Sequence, residues 1–224
     1  MLRRIVIQTV IWFALQAALL LGVAGDWTWP QGWTYLGEVL ALSSATTIGL
    51  MKTDPELLKA RMSSPLKRNQ RPVDRAIMLA FVALYVGWFA LIGLDHRFFW
   101  SSTPLLVQIL GAVLIGAGMV LVWETFRANT FATTQVRVQA ERAQTVVDSG
   151  PYRYVRHPMY AGMVLFMIGT PLMLQSLWGL SATPVLFVML ALRIRGEEQV
   201  LRRDLAGYTE YTARIPWRLV PGVW

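Results

Sequence analysis

Five runs of about 20 mostly apolar residues limit how this chain can fold more than any other feature of its sequence. A helix of that length and composition crosses the hydrocarbon core of a bilayer. The five runs are Ile5–Ala24, Trp33–Met51, Ala76–Leu94, Pro104–Trp123 and Pro158–Trp178. A sixth run, Leu180–Leu192, has 13 residues before Arg193, so as a helix it reaches only about 20 Å. It is either a short span or the return arm of a hairpin with the fifth run.

The composition points to the same class of protein. Hydrophobic residues make up 55% of the 224 residues and charged residues only 15%, whereas a soluble domain carries about 25% charged residues. The absence of cysteine excludes a disulfide framework and a thiolate site. His96 and His157 are far apart in the sequence, which argues against a zinc site. We therefore predict an all-α, polytopic integral membrane protein with about six transmembrane helices, the last two forming a hairpin.

The distribution of basic residues predicts the orientation of these helices. Of 21 basic residues, 20 lie before the first run, between the second and third, between the fourth and fifth, or after the sixth. Only Arg97 lies elsewhere. The positive-inside rule then places both termini in the cytoplasm. Because the net charge of +8 is spread over one membrane face, it suits anionic lipids and argues against a nucleic-acid partner. Short connections and the lack of a targeting segment favour a bacterial inner (cytoplasmic) membrane.

Two features of the first 125 residues are interpreted as structural. Ala112 and Gly116 have the spacing of small residues at which two membrane helices approach closely. The connection Lys52–Arg75 carries Leu57, Leu58, Met62 and Leu66 among basic residues. This pattern predicts an amphipathic segment on the membrane surface, and a cover over a site is the alternative.

The start of the fifth run carries the first candidate site. Gly150-Pro151 indicates a turn, and Pro158 suits the first position of a helix with His157 as its cap. Free N–H groups at such a start attract a carboxylate or phosphate, and Arg156 and His157 add to that attraction. Equally, both side chains could anchor the helix to lipid headgroups.

A charged group directly after the sixth run forms the second candidate site. Arg193 and Glu197 are four residues apart and so share one helix face, with Glu198 beside them. Ionisable residues near the headgroup level are costly and are therefore functional candidates. A carboxylate accepts hydrogen bonds from ribose hydroxyls or an amino group, and an arginine suits a substrate carboxylate. The alternative is a surface network with Arg202 and Arg203.

These motifs together resemble the isoprenylcysteine carboxyl methyltransferase family of membrane methyltransferases, a group that includes phospholipid methyltransferases. The resemblance covers about residues 129–224. It is carried by Gln139, the stretch Val147–Gly162 with its Arg156-His157-Pro158-Met159-Tyr160 core, Arg193, Glu197-Glu198, Gly207-Tyr208 and Tyr211. It implies S-adenosylmethionine as cofactor. Residues 1–128 would then hold four transmembrane helices and a basic cytoplasmic loop, and residues 129–224 the cofactor-binding region, the helical hairpin and the tail.

The resemblance also implies roles for individual residues. Arg193 would orient a substrate carboxylate and so act as the catalytic residue. The implied cofactor-binding residues are Gln139, Gln144, Thr145, Val146, Val147, Tyr152, His157, Pro158, Met159, Tyr160, Glu197 and Glu198. The function implied is methyl transfer to a lipophilic acceptor, a small molecule or a lipid, at the cytoplasmic face. The accepting group could be a carboxylate, thiol, amine or hydroxyl.

Two other functions are compatible with parts of this pattern. NADPH-dependent membrane reductases of the sterol type share the Arg-His-Pro-x-Tyr stretch, but in them we expect Asn after the proline and Glu after the glycine. Met159 and Met163 occupy those positions here, which favours the methyltransferase. A non-catalytic membrane protein, such as a transporter, would require discontinuous polar spans, and the first four runs are continuously apolar.

Overall fold

All regular elements in the described part of the chain are helical. The computed structural model describes residues 2–63, 72–133 and 137–224. Its α-helices are α1 Leu2–Ala24, α2 Pro30–Thr53, α3 Pro55–Arg61, α4 Pro72–Phe98, α5 Leu105–Ala128, α6 Pro158–Met173, α7 Leu177–Asp204 and α8 Tyr208–Arg214. Two single turns of 3₁₀-helix, Ala140–Arg142 and Gly150–Arg153, lie between α5 and α6. The predicted all-α class is confirmed.

Among the described residues, four helices are long and apolar enough to cross a membrane. They are α1, α4 from Arg75 onward, α5 and α7, and α6 is a shorter apolar helix of 16 residues. Helix α2 is 24 residues long but is not among these four. The chain is therefore an α-helical, multi-pass membrane protein, and its number of crossings and orientation remain predictions.

In the hairpin formed by α6 and α7, the first helix is shorter and the second is longer than predicted. Helix α6 ends at Met173 instead of reaching Trp178, and α7 begins at Leu177, where the Ser176 hydroxyl accepts a hydrogen bond from a backbone N–H at 2.9 Å. Helix α7 then continues to Asp204 over 28 residues, or about 42 Å. The prediction that the sixth helix is the short one was wrong. The charged residues after Leu192 are good helix formers and extend the helix.

Helices α5 and α6 approach each other closely through glycines. A Cβ atom on Gly118 would lie 2.5 Å from the Gly162 carbonyl oxygen, and one on Gly111 would lie 2.6 Å from that of Gly169. Because the two contacts are seven residues apart on each helix, the helices stay adjacent over two turns. This pairing fixes the start of α6, and with it the candidate site, against the C-terminal half of α5.

The small residues predicted to make this contact lie beside it. Ala112 packs against the main apolar cluster, and the nearest atom to a Cβ on Gly116 would be Glu38 Oε1 at 3.9 Å. The sequence therefore predicted the right kind of contact on the wrong face of α5.

A buried carboxylate holds the helix ends at the opposite end of the bundle. Asp95, near the end of α4, is 1% exposed, and its Oδ2 accepts hydrogen bonds from the hydroxyls of Ser101 and Ser176, both at 2.6 Å. The same oxygen accepts from the backbone N–H of Trp178 at 3.3 Å. The start of α7 is thereby tied to α4, which sets the direction in which α7 leads to its charged end.

Helix α3 turns its apolar side towards the protein. Its start is capped by Asp54, which accepts a hydrogen bond from the Leu57 N–H at 2.9 Å. Leu57 and Leu58 are buried against Leu50 and Phe126, at the ends of α2 and α5. The predicted amphipathic segment is thus a helical cover over the bundle end in this part, and Leu66 lies outside the described residues.

Candidate functional site

An ion-pair cluster joins α7, the start of α6 and the C-terminal segment. Glu198 is 4% exposed, and its Oε1 accepts a hydrogen bond from Arg156 Nε at 2.8 Å. His157 Nε2 lies 3.2 Å from the same oxygen. On the other side, Glu198 Oε2 accepts from Arg218 Nε at 3.1 Å. These four residues, here called the Glu198 cluster, form a hydrogen-bonded set in which Glu198, Arg156 and His157 are buried and Arg218 is partly exposed.

The C-terminal segment is docked onto this cluster by its backbone. The backbone N–H groups of Arg156 and His157 donate to the carbonyl oxygens of Trp217 and Arg218, each at 2.9 Å. Arg156 Nη1 donates further to the carbonyl oxygens of Ile215 and Pro216, each at 2.8 Å. Arg156 and His157 are each only 5% exposed. This burial excludes the alternative in which both side chains anchor the helix to lipid headgroups.

A small, polar cavity of about 90 Å³ lies next to the cluster, between the loop before α6, the start of α6, the end of α7 and α8. Nine of the twelve predicted cofactor-binding residues line it. They are Gln144, Thr145, Val146, Val147, Tyr152, His157, Met159, Tyr160 and Glu197. The structure therefore brings together residues that are up to 53 positions apart in the sequence.

The other three predicted cofactor residues support the wall of the small cavity from behind. Gln139 is buried, its Nε2 donates to the Phe131 carbonyl oxygen at 2.9 Å, and its backbone N–H donates to Gln144 Oε1 at 2.7 Å. Pro158 is the first residue of α6 and is also buried. Glu198 belongs to the ion-pair cluster. These residues do not line the cavity, although they hold those that do.

Aromatic residues that the sequence did not identify as site residues complete the small cavity. Tyr208 and Tyr211 of α8 both line it. Tyr211 Oη donates to the Tyr152 carbonyl oxygen at 2.8 Å, and Asn129 Nδ2 donates to the Tyr152 hydroxyl at 2.8 Å. The buried hydroxyl of Tyr208 has no hydrogen-bond partner in the described residues. Burial raises the pKa of Tyr208, which keeps this hydroxyl neutral and able to donate.

Glu197 is the carboxylate that lines the small cavity. Tyr160 Oη donates a hydrogen bond to its Oε2 at 2.7 Å. Unlike Glu198, it is partly exposed and lines the cavity wall. The structure thus separates two adjacent carboxylates that the sequence could not distinguish.

A second, larger cavity of about 620 Å³ adjoins the small one. It is lined mostly by apolar side chains of α1 to α7, and its volume is typical of a ligand pocket, about 300–1,000 Å³. Of the described residues that line it, only Arg61 and Arg193 carry a full charge. Thr133, Met159 and Tyr160 line both cavities and so form the boundary between them.

Arg193 and Glu197 lie on opposite sides of this boundary. They are one helical turn apart on α7, as the spacing predicted. Arg193 lines the large cavity and interacts with the Tyr160 side chain, whereas Glu197 lines the small cavity and accepts the Tyr160 hydrogen bond. One tyrosine therefore connects the charged groups of the two cavities.

No metal centre accompanies these cavities in the part of the chain that the structure describes, since no group of three or more His, Cys, Asp or Glu side chains is placed to hold an ion there. Among the described residues that line the two cavities, the available groups are one carboxylate, one histidine, several tyrosine hydroxyls and four guanidinium groups, two in each cavity.

Comparison with known proteins relates the site-bearing part of the chain to methyltransferases. Residues 106–206 match the model of the phospholipid methyltransferase family. The chain is 28% identical to protein-S-isoprenylcysteine O-methyltransferase B of Arabidopsis thaliana over 55% of its own length and 61% of that protein. It is 30% identical to a probable protein-S-isoprenylcysteine O-methyltransferase of Oryza sativa subsp. indica, over 54% of this chain and 62% of the relative.

A bacterial relative carries a different kind of name. The chain is 28% identical to the cobalt-zinc-cadmium resistance protein CzcN of Cupriavidus metallidurans, over 52% of this chain and 51% of the relative. The chain thus spans less than two thirds of the length of each of these three relatives. The matches nevertheless confirm the resemblance that the sequence motifs indicated.

Proposed function

We propose that this chain, whose resemblance to the isoprenylcysteine carboxyl methyltransferase family is confirmed, is a membrane methyltransferase that uses S-adenosylmethionine and a lipophilic acceptor. One observation carries the proposal: a small polar cavity and a large apolar cavity meet at Thr133, Met159 and Tyr160. Transfer between a water-soluble donor and a lipophilic acceptor requires two such compartments with a common boundary.

The residues of the small cavity suit the donor. S-adenosylmethionine carries a sulfonium cation, and cations are attracted to aromatic faces and to carboxylates. Tyr152, Tyr160, Tyr208 and Tyr211 supply the rings and Glu197 the carboxylate. The buried Tyr208 hydroxyl, which lacks a partner among the described residues, could donate a hydrogen bond to a polar group of the ligand. At about 90 Å³ the cavity is smaller than a typical ligand pocket, so binding of the whole donor requires it to widen.

Under this proposal the predicted cofactor residues divide into two groups. Donor contacts are assigned to those that line the small cavity: Gln144, Thr145, Val146, Val147, Tyr152, His157, Met159, Tyr160 and Glu197. Gln139, Pro158 and Glu198 act through them by holding the loop, the start of α6 and the end of α7. The division of the chain at residues 128 and 129 remains a prediction, since both parts contribute to the large cavity.

The large cavity suits the acceptor, a lipophilic molecule with a carboxylate, thiol, amine or hydroxyl group. When bound, S-adenosylmethionine supplies an electrophilic methyl group whose departure leaves a neutral thioether. No acid is then needed for the leaving group, and the chain's task is alignment. Arg193 would hold the accepting group at the Tyr160 boundary, and such positioning can lower a barrier by about 7–11 kcal/mol. The apolar lining excludes water from the acceptor.

The proposed location of the protein is a membrane in which both cavities lie near the cytoplasmic face. Six crossings by α1, α2, α4, α5, α6 and α7, with both termini in the cytoplasm, would put both cavities near the cytoplasmic face. The distribution of 20 of the 21 basic residues supports this orientation. The site would then be accessible to a soluble donor from the cytoplasm and to a lipid acceptor from the inner leaflet. A bacterial inner membrane is the proposed location.

Two measurements test the proposed function. Purified protein in lipid nanodiscs should bind S-adenosylmethionine and not NADPH by isothermal titration calorimetry, whereas a sterol-type reductase would show the reverse. The same protein should transfer a radiolabelled methyl group from S-adenosylmethionine into a total lipid and small-molecule extract, and the labelled product would identify the acceptor. Arg193→Ala should abolish most of this labelling. Binding of neither cofactor, together with no labelled product, would contradict an enzymatic function of this class.

A further inference from the structure

Arg61 is a charged residue that lines the large cavity and has no role in the proposed function. It is the last residue of α3, and its side chain is partly buried. Its Nη1 donates to the Ala132 carbonyl oxygen at 2.7 Å and lies 3.6 Å from the Met159 sulfur. Its guanidinium also lies over the Phe126 ring, 4.2 Å from the centroid. These contacts fix the guanidinium at the cavity wall.

The charge of Arg61 has no balancing carboxylate among the side chains that the structure describes. None of the ion pairs formed by those side chains includes Arg61. Burial lowers the pKa of Arg61 to about 10, so it remains protonated at neutral pH. A partly buried cation without a counter-charge is costly, and an anion in the adjoining cavity would offset that cost. Arg156 is the contrast, because its charge is balanced by Glu198.

Arg61 and Arg193 lie at the same end of the large cavity. Both interact electrostatically with Tyr160, which stands on the boundary with the small cavity. The rest of the lining is apolar or neutral in the described residues. The cavity is therefore cationic where it meets the proposed site of transfer, and neutral along the remainder of its length.

We propose that Arg61 is a second acceptor-binding residue, which with Arg193 holds the anionic headgroup of a lipophilic acceptor at the Tyr160 boundary. This inference rests on the proposed function. The carboxylate is the accepting group that the family resemblance implies for Arg193, and the new element is a second cationic contact from α3, which lies outside the residues 129–224 that carry the resemblance. An ammonium headgroup would face two guanidinium groups and be repelled. On the other side of the boundary, the guanidinium groups of the small cavity are paired with carboxylates, Arg137 with Glu141 and Arg156 with Glu198. The carboxylate of Glu197 is left to face a cationic donor, while Arg61 and Arg193 face the anionic acceptor.

Arg61 also connects the acceptor to the wall of the donor cavity. The carbonyl oxygen that it contacts belongs to Ala132, which lines the small cavity and precedes the boundary residue Thr133. A headgroup held by Arg61 is thereby placed next to the segment that closes the small cavity. Arg61 thus binds the acceptor directly and selects for its negative charge.

Binding of three molecules with one tail and different headgroups tests this role without the methyl donor. Wild-type protein in phosphatidylcholine nanodiscs would be loaded with tritiated oleate and competed with oleate, oleyl alcohol or oleylamine. We expect oleate to compete at the lowest concentration and oleylamine at the highest. Loss of a charge-assisted hydrogen bond in Arg61→Ala should weaken oleate binding about tenfold and oleyl alcohol binding less than twofold. Lys59→Ala, which removes an exposed charge from the same helix, should change neither.

The ratio of oleate to oleyl alcohol affinity separates binding from a purely structural role. Arg61→Lys keeps the charge but loses the planar fork, so an intermediate ratio is expected. If Arg61→Ala does not fold, the ratio of oleate to oleyl alcohol affinity measured for Arg61→Lys decides between binding and a purely structural role. Equal loss of both ligands, an unchanged ratio, or oleylamine competing as well as oleate in the wild type would overturn the inference. Because no methyl donor is present, these results are independent of the test for methyl transfer.

Discussion

Glu197 and Glu198 are adjacent in the sequence but belong to two regions that differ in almost every physical respect. Glu198 is buried and accepts hydrogen bonds or ion pairs from three basic side chains. Glu197 lines a cavity and accepts a hydrogen bond from the neutral hydroxyl of Tyr160. Successive residues of a helix point about 100° apart, so one side chain faces the docked C-terminal segment and the other the cavity. Adjacent, identical side chains thus divide support and binding between them.

The largest effect is expected on the Glu198 side of this comparison. Glu198→Ala would leave Arg156 buried without its counter-charge, which should lower the free energy of unfolding by about 3–5 kcal/mol. Denaturant unfolding in detergent would measure the loss. Glu210→Ala, which removes an exposed carboxylate from α8, is the control and should leave stability unchanged. A Glu198→Ala protein as stable as the wild type would show that the cluster does not hold the fold.

A second large effect is expected at the boundary between the cavities. Arg193→Ala should lower turnover about 100-fold, because a misplaced accepting group loses alignment, while donor affinity stays at the wild-type value. Radiolabelled transfer and donor titration would be measured on the same preparation. Arg195 is exposed two residues further along α7, so Arg195→Ala is the matched control for loss of a charge. Equal loss of turnover and donor affinity would reject an acceptor-orienting role for Arg193.

Glu197 should affect donor affinity, the property that the Arg193 substitution should leave unchanged. Glu197→Gln removes the negative charge of the small cavity and keeps its size, so donor affinity should fall about tenfold. Thermal stability should change little, because no buried cation depends on this carboxylate in the described residues. Calorimetric titration with S-adenosylmethionine, paired with a melting curve, would measure both. Wild-type donor affinity in this variant would remove Glu197 from the binding site.

His157 belongs to both regions, the Glu198 cluster and the small cavity. It lies within hydrogen-bond distance of Glu198 and also lines the small cavity. His157→Ala should therefore weaken donor binding about threefold to fivefold and lower stability by about 1 kcal/mol, the usual contribution of one hydrogen bond. The same two assays apply. A change in only one of the two properties would assign His157 to a single region.

The sequence predicted those parts of the molecule that depend on local pattern. Apolar runs predicted the long helices, Pro158 predicted the start of α6, and the spacing of Arg193 and Glu197 predicted a shared helix face. Nine cofactor residues that the family resemblance implied were brought together in the small cavity. Such features depend on periodicity or on a compact motif, and both are visible in the sequence.

The features that the sequence missed depend on tertiary contacts. The turn that ends α6 is set by Asp95, about 80 residues away, which binds Ser176. Tyr208 reaches the small cavity because the C-terminal segment docks onto Arg156. Arg61 reaches the large cavity because α3 folds back under α5. In each case a distant segment supplies the contact. Tyr208 belongs to the motif that carries the family resemblance, but no local pattern assigned it to the cavity.

The most direct test of the account is an experimental structure of the protein with S-adenosylhomocysteine, the product of the donor, in lipid nanodiscs. We expect its nucleoside beside Tyr208 and Val146 in a widened small cavity, and its sulfur atom facing Tyr160 at the boundary with the large cavity. Product bound outside the small cavity, or with its sulfur directed away from Tyr160, would contradict the division of donor and acceptor between the two cavities.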